Sequence, residues 1–402
     1  MSAWHMFRLG ECAEIVSGAT PSTSEPSYWG GDISWATPKD LSELDGIYIA
    51  DTPRKITDRG LQSCASAVLP PESVLFSSRA PIGHVAINTT PMATNQGFKS
   101  FIPNRDRLDA KYLYYWLRAN RQYLEGLGNG ATFKEVSKAV VSRIEIPLPP
   151  TPEQRRIAAI LDKADALRTK RRAALKKLDE LTQSIFLDMF GDPRRNEKGW
   201  AASKIGSITS EVRGGAALKP EDFVETGCPI LHKGAIKPGG RVVIDSKKKT
   251  FATWAYANAH KKHFVDRSCI AVTLRDLVPA GPNIGLATDL RKGPFDKYLL
   301  AQGAYGLELK HDAIIAEYFV QLSNMPNFRH VLRQNAVGST QIHIRTPIYL
   351  AIRIPVPPIE LQRDFAHCVQ AIEELETVQS KSAARLDALF ASLQHRAFRG
   401  EL

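Results

Sequence analysis

Long apolar runs are missing. No stretch of 18 apolar residues occurs among the 402, so no membrane-spanning helix is expected. Cysteine is scarce: Cys12, Cys64, Cys228, Cys269 and Cys368 are odd in number and never spaced as CxxC, which excludes a disulfide scaffold and a standard zinc site. Residues 1–10 have no basic head before an apolar stretch, so the chain is expected in the reducing cytoplasm rather than secreted. Catalytic signatures are absent too. There is no GxxxxGK[ST] phosphate loop, no GxGxxG turn and no GxSxG elbow. An amino-methyltransferase would carry a Pro-Pro pair between Asn or Asp and an aromatic residue, and Pro149-Pro150 and Pro357-Pro358 lack both flanks.

What remains is an ordinary globular composition, 43% hydrophobic and 24% charged, with a net charge of +11. The charge is uneven. Residues 1–150 balance to zero, whereas residues 191–358 hold 24 basic against 14 acidic side chains, with runs at Lys247-Lys248-Lys249 and Lys261-Lys262. Such an excess suits a polyanion, which binds through counterion release.

A repeat organises the chain. Residues 144–155 read IEIPLPPTPEQR and residues 352–363 read IRIPVPPIELQR, a shift of 208 positions. The shift persists downstream, where Ile157, Ala164, Leu167 and Leu181 fall on Phe365, Ile372, Leu375 and Leu389. Upstream, LGECAEIVSG (9–18) resembles IGSITSEVRG (205–214), Asn95-Gln96-Gly97 matches Ala301-Gln302-Gly303, and Gly130-Ala131-Thr132 matches Gly338-Ser339-Thr340. The order is lobe, helix, lobe, helix, at 1–150, 151–190, 191–358 and 359–402.

The helices are strongly signalled. Thr151 and Gln154 fit a capping box, Pro152 fits the first helical position, and Gly191 with Pro193 marks the stop. Apolar positions 160, 164, 167, 171, 174, 178, 181 and 185 step by four and three, the spacing of a helix–helix seam, with Arg171 interrupting it. At about 1.5 Å per residue the first helix is a rod of roughly 57 Å. Parallel pairing would force the second lobe to span the rod, so antiparallel pairing is expected. The lobes alternate short β runs (73–77, 84–87, 269–273) with helical stretches (110–123, 312–322). The expected class is α+β: two mixed α/β lobes held apart by a pair of long antiparallel helices, with a pseudo-twofold internal repeat.

Chemistry finds little support. His260 and His263 (HKKH) have no carboxylate in a metalloprotease pattern, so no metal site is expected. Asp296, Glu308 and Lys310 loosely resemble a nuclease triplet and define one alternative, a stand-alone metal-dependent endonuclease. A second alternative is a protein-only scaffold that uses the two rods for docking.

The four-part order, the paired Ile-x-Ile-Pro-x-Pro-Pro strand exits and the Gln-Arg helix openings resemble the specificity subunit of a type I restriction–modification system, over essentially the whole chain. Ser78-Arg79 with Ile82-Gly83 adds to the likeness, and the second lobe departs at Leu274-Arg275-Asp276, where a longer insertion precedes Ile284-Gly285. The resemblance implies that residues 1–150 and 191–358 are target-recognition domains reading the two parts of a split, asymmetric double-stranded DNA site, with 151–190 and 359–402 as spacers. It implies partners as well: two modification subunits that carry S-adenosylmethionine and methylate adenine, and motor-nuclease restriction subunits. No cofactor is expected in this chain. Arginine suits guanine, and Asn or Gln suits adenine. On the loops beside the repeated anchors, Ser78, Arg79, Gln96, Thr132 and Lys134 are the expected DNA contacts of the first lobe. Lys233, Lys248, Arg275, Gln302, Thr340, Gln341 and His343 are those of the second.

Overall fold

The computed structural model describes residues 4–130, 134–245, 250–277 and 281–402. The chain forms two compact units, residues 1–172 with 381–402 and residues 173–380, so the cut falls inside both long helices. Both units are mixed α+β, and no helix among the described residues is long and apolar enough to cross a membrane.

The first unit has a sheet in the order Ala13–Ser17, Lys99–Pro103, Val74–Phe76, Val85–Asn88, Tyr48–Ile49. A second sheet pairs Trp29–Ala36 in parallel with Met92–Thr94, and antiparallel with Lys55–Ile56. The second unit rebuilds the first of these with Thr209–Gly214, Ala304–Leu309, Cys269–Thr273 and Ala287–Asp289. It also repeats the parallel pair, as Cys228–Leu231 with Lys297–Leu300. Helices Ala110–Ala119 and Ala316–Asn324 cover the sheets with buried Tyr112–Leu117 in one unit and Tyr318, Phe319 and Leu322 in the other.

Each lobe is fastened to its long helix by the same parts. Met6 pairs with Pro147 and Ala202 with Pro355, closing the strand exit that runs into each helix. The buried Tyr112 hydroxyl donates to the Pro147 carbonyl at 2.7 Å, and Tyr318 donates to that of Pro355 at 2.9 Å. Both tyrosine rings meet a phenylalanine at a helix end, Tyr112 against Phe398 at 5.4 Å and Tyr318 against Phe190 at 4.8 Å, near-perpendicular as the ring quadrupoles prefer.

The first long helix spans Thr151–Phe190 and the second Ile359–Ala397. The expected capping box does not form. Thr151 donates to the Asp106 carbonyl, and Gln154 turns away from the helix start to bind the lobe. The buried Gln154 side chain accepts the Asp109 N–H at 2.9 Å and donates to the carbonyls of Arg107 and Pro149 at 2.7 and 2.8 Å. Gln362 repeats this, accepting from Ile315 and donating to Pro357 at 2.8 Å and to Ala313 at 3.5 Å. The lobe's orphan backbone groups outcompete the helix end, because they meet no other partner among the described residues.

Within each unit the two helix segments run in opposite directions. In the first, Arg156 donates to the Leu402 carbonyl while Arg168, twelve residues later, pairs with Asp387 at 2.6 Å. In the second, Phe186 and Phe190 pack on Phe365, and Asp179, earlier in the first helix, faces Glu376, later in the second. The seam is displaced from the expected one. Ile157, Leu161, Ala164, Phe365, Val369, Ile372 and Phe390 are buried, whereas Leu167, Leu181, Leu375 and Leu389 are exposed, as is Cys368. Arg168 takes the inner position next to Leu167 because its stem and guanidinium cover the Phe390 ring at 4.2 Å while its charge is met by Asp165 and Asp387.

The repeat turns this ion pair into a like-charge pair. Shifted by 208, Arg168 and Asp387 become Glu376 and Asp179. Burial and the Asp179 charge push the Glu376 carboxyl above the usual range, against the lowering effect of Arg241, which pairs with Asp179 at 3.4 Å. Glu373, also near, is paired with Lys292. A folded-state pKa raised above the unfolded value favours the protonated carboxyl, so this group's contribution is present at low pH and lost as pH rises past the ordinary glutamate value. Glu376→Arg is expected to restore the first unit's pairing and raise stability at pH 7 by up to about 1 kcal/mol. It should also flatten the pH dependence of urea unfolding between pH 4 and 7. An unchanged pH profile would show that the pair carries no linkage.

Candidate nucleic-acid interface

Arg79 follows the first unit's strand Val74–Phe76, and Arg275 opens a short strand, Arg275–Leu277, just after Cys269–Thr273. The sequence leaves their equivalence open across the longer insertion, and the backbone settles it. The Ser78 N–H donates to the Gly97 carbonyl at 2.8 Å, and that of Leu274 to Gly303 at 3.0 Å. In return, Val136 donates to the Ser78 carbonyl and Ile344 to that of Leu274, both at 2.9 Å. Arg79 and Arg275 are the same position on the same frame.

Each arginine is one end of a row of three. In the first unit Asn129, Glu135 and Arg79 lie side by side as bridge partners, and in the second Val337, His343 and Arg275 do. Directly opposed residues of antiparallel segments share a face, so each row presents its side chains together. Gly130 and Gly338 turn the chain beside the rows, both at φ +129°, and a Cβ on Gly338 would lie 2.0 Å from the Gln341 carbonyl. Only glycine fits there.

The side chains of the two rows differ. Half-buried Arg79 faces Glu135 at 3.7 Å, and Glu135 also accepts from the largely buried Lys99 at 3.0 Å. Arg275 instead lies beside His343, which supplies no carboxylate. The adjacent Asp276, buried, accepts the Asn283 N–H at 2.6 Å and faces Lys233 at 3.8 Å. Burial, reinforced by Lys237, pushes His232 below the usual imidazole range, so it is neutral and accepts the Gly234 N–H beside Lys233. The insertion is pinned by Arg329, whose guanidinium donates to the carbonyls of Ile284 and Pro282, and burial lowers its pKa.

Of the expected contacts in the first unit, Arg79, the Gln96 turn and Lys134 come together, since Gly97 bonds to Ser78 and Lys134 precedes Glu135. Gln96 is exposed, with Thr20 donating to it, and Lys134 is exposed. Ser78 is fully buried and its hydroxyl donates to the Gly97 carbonyl at 3.1 Å, so it builds the frame on which Arg79 stands. In the second unit Arg275, the Gln302 turn, Gln341 and His343 converge, with Lys233 joined through Asp276 and Thr340 exposed in the turn before Gln341. Thr132 and Lys248 lie outside the described residues. Sequence reasoning passed over Asn129, Val337, Glu135, Lys99, Asp276 and Leu277. For Asn129 and Val337 the signal was present, because each immediately precedes a repeated glycine.

The nuclease triplet has no common site. Asp296 pairs with Arg267 at 2.8 Å, Glu308 faces Arg213, and Lys310 donates to the Ser207 carbonyl. Among the described residues no group of three His, Cys, Asp or Glu could hold a metal ion. His260 stacks on Tyr256 at 4.1 Å, and His263 bonds the Gly214 carbonyl.

Comparison with known proteins gives concordant results. The family model described as the type I restriction modification DNA specificity domain matches residues 1–177. The type I restriction enzyme MjaIX specificity subunit of Methanocaldococcus jannaschii is 35% identical over 239 residues, and this stretch spans 55% of either chain, about half the relative's length. The MjaVIII specificity subunit of the same organism is 23% identical over 396 residues, covering 96% of this chain and 89% of the relative. A chain from a structure of the assembly and conformational transition of a type I R-M system superposes with a TM-score of 0.59 at 19% identity, covering 100% of this chain and 99% of that one. With its repeat, its two α+β units and its pair of long helices, the chain is similar to the specificity subunits of type I restriction–modification systems over nearly its whole length, and its residues 1–177 match that family's DNA specificity domain.

Proposed function

We propose that this chain reads a split, asymmetric double-stranded DNA sequence and does no chemistry of its own. Residues 1–150 and 191–358 act as the two target-recognition domains, and 151–190 with 359–402 as their spacer. The carrying observation is the pair of rows: one backbone frame, built twice, bearing Asn129–Glu135–Arg79 in one unit and Val337–His343–Arg275 in the other. Equal frames with unlike side chains read unlike sequences, which an asymmetric target requires and a palindrome does not.

The partners follow from the same reading. Leu167 and Leu389 leave exposed apolar surface on the helices of the first unit, and Leu181 and Leu375 do so in the second, each pair related to the other by the 208-residue shift. Repeated surfaces suit two copies of one partner, here the modification subunits, with S-adenosylmethionine held by them and restriction subunits joining for cleavage. The reaction is cytoplasmic in this proposal, where the cell's own DNA is methylated.

The test is methylation mapping of genomic DNA in cells with and without the gene. A split asymmetric adenine-methylated motif that disappears with the gene is expected, and its absence refutes the reading. Arg79→Ala should then weaken binding at one half-site by about 1–3 kcal/mol, and Arg275→Ala at the other. Equal losses on cognate and random duplexes would reduce both to phosphate contacts.

A further inference from the structure

Among the described residues, the second unit carries something the first does not: a two-stranded ribbon built on its row. Arg275–Leu277 pairs antiparallel with Gln341–His343, in the register Arg275 to His343, Asp276 to Ile342 and Leu277 to Gln341. Strand alternation sorts these side chains onto two faces. Asp276 and Ile342 point inward, where Asp276 is buried on Asn283 and Ile342 packs against the core. Arg275, Leu277, Gln341 and His343 point outward together, with Val337 at the end of the row. The inner face is fixed, so the outer face is held in place before any ligand arrives.

The outer face is chemically mixed in an informative way. Arg275, Gln341 and His343 are hydrogen-bonding groups, and at the end of the ribbon stands Leu277, 55% exposed and directly across from Gln341. A leucine in water among polar groups gains by meeting an apolar ligand atom. The major groove admits a two-stranded ribbon and offers one methyl group, that of thymine at C5, on the same pair whose adenine edge suits glutamine.

We propose that Leu277 packs on a thymine methyl in the second half-site while Gln341 reads adenine beside it, so that this chain distinguishes thymine from uracil. The proposal rests on the DNA-reading function above and assigns one base pair of it to one apolar side chain. Cross-strand neighbours have Cβ atoms about 5 Å apart, which lets the two side chains serve one pair or adjacent pairs.

The experiment is selection by the full-length chain from a randomised duplex library prepared once with thymidine and once with deoxyuridine. The wild-type chain is expected to enrich an A·T pair in the half-site that Arg275→Ala relaxes. Its preference for that pair should fall about fourfold with uracil, the worth of one buried methyl. Leu277→Ala, an exposed position whose folding is checked by circular dichroism, should bind the thymine and uracil sites equally. Equal wild-type enrichment from both libraries overturns the role of Leu277, as does a Leu277→Ala chain that still discriminates. The uracil arm needs no variant. A wild-type chain that enriches no split motif overturns the DNA-reading function itself, a failure distinct from methyl-blind enrichment.

Discussion

Phe365→Ala should cost about 3–5 kcal/mol of folding stability, among the largest losses a single core truncation produces. Phe365 is fully buried, with ring centroids 5.5 Å from Phe186 and 5.4 Å from Phe190, both near-perpendicular to it. Phe186 in turn stacks on Tyr318 at 5.5 Å. The four rings come from both long helices and from the lobe helix Ala316–Asn324, so the space left by Phe365 is walled by separate elements that cannot collapse together. The repeat supplies a control, since the position 208 residues earlier is Ile157, also fully buried. Phe365→Ile should therefore cost less than half as much as Phe365→Ala. Urea unfolding of the three proteins decides this, and a loss below about 1.5 kcal/mol for alanine would mean that the rings repack.

Gln154→Leu removes a clamp rather than volume. The leucine nearly fills the site but leaves the Asp109 N–H and the carbonyls of Arg107 and Pro149 without their partner, at about 1–3 kcal/mol for each buried group. A total loss of about 3–5 kcal/mol is expected, since some of these groups will find water. Gln362→Leu should cost less, because its bond to Ala313 is stretched to 3.5 Å where the equivalent bond to Arg107 is 2.7 Å. Equal losses for the two variants would show that the long bond contributes as much as the short one. Neither substitution touches the arginine rows, so any change in DNA preference at matched folding would be unexpected.

The sequence made the helices and the duplication legible because both are written in local terms. The apolar spacing, the Pro clusters and the Gln-Arg openings are contiguous, and the shift of 208 can be read by eye. What Gln154 does was not legible as a cap, since its partners Arg107 and Asp109 lie some 45 residues away and compete only once the lobe has folded. The seam was misplaced for a related reason. A heptad count ranks Leu167 above Arg168, but Phe390 and Asp387, which make the arginine the better inner residue, arrive from the far end of the chain. The sequence singles out Arg79 and Arg275 by the residues around them, and the structure places them at one position of one frame, whereas their neighbours Glu135, Asp276 and Leu277 carry no such mark. A carboxylate or a leucine in a polar stretch has no signature until the ladder opposite it is known.

The tyrosine and glutamine fastenings bear on how new specificities arise. Each lobe is seated by a Tyr hydroxyl on a strand-exit Pro carbonyl and by a buried Gln side chain, and the two seats use the same parts in the same order. A socket pattern used twice accepts any plug cut to it. A segment that keeps the tyrosine, the glutamine and the Pro-rich exit keeps its seat whatever the rest of its surface carries, so under the proposed function one half of the address is replaceable as a whole word while the other stays as it is.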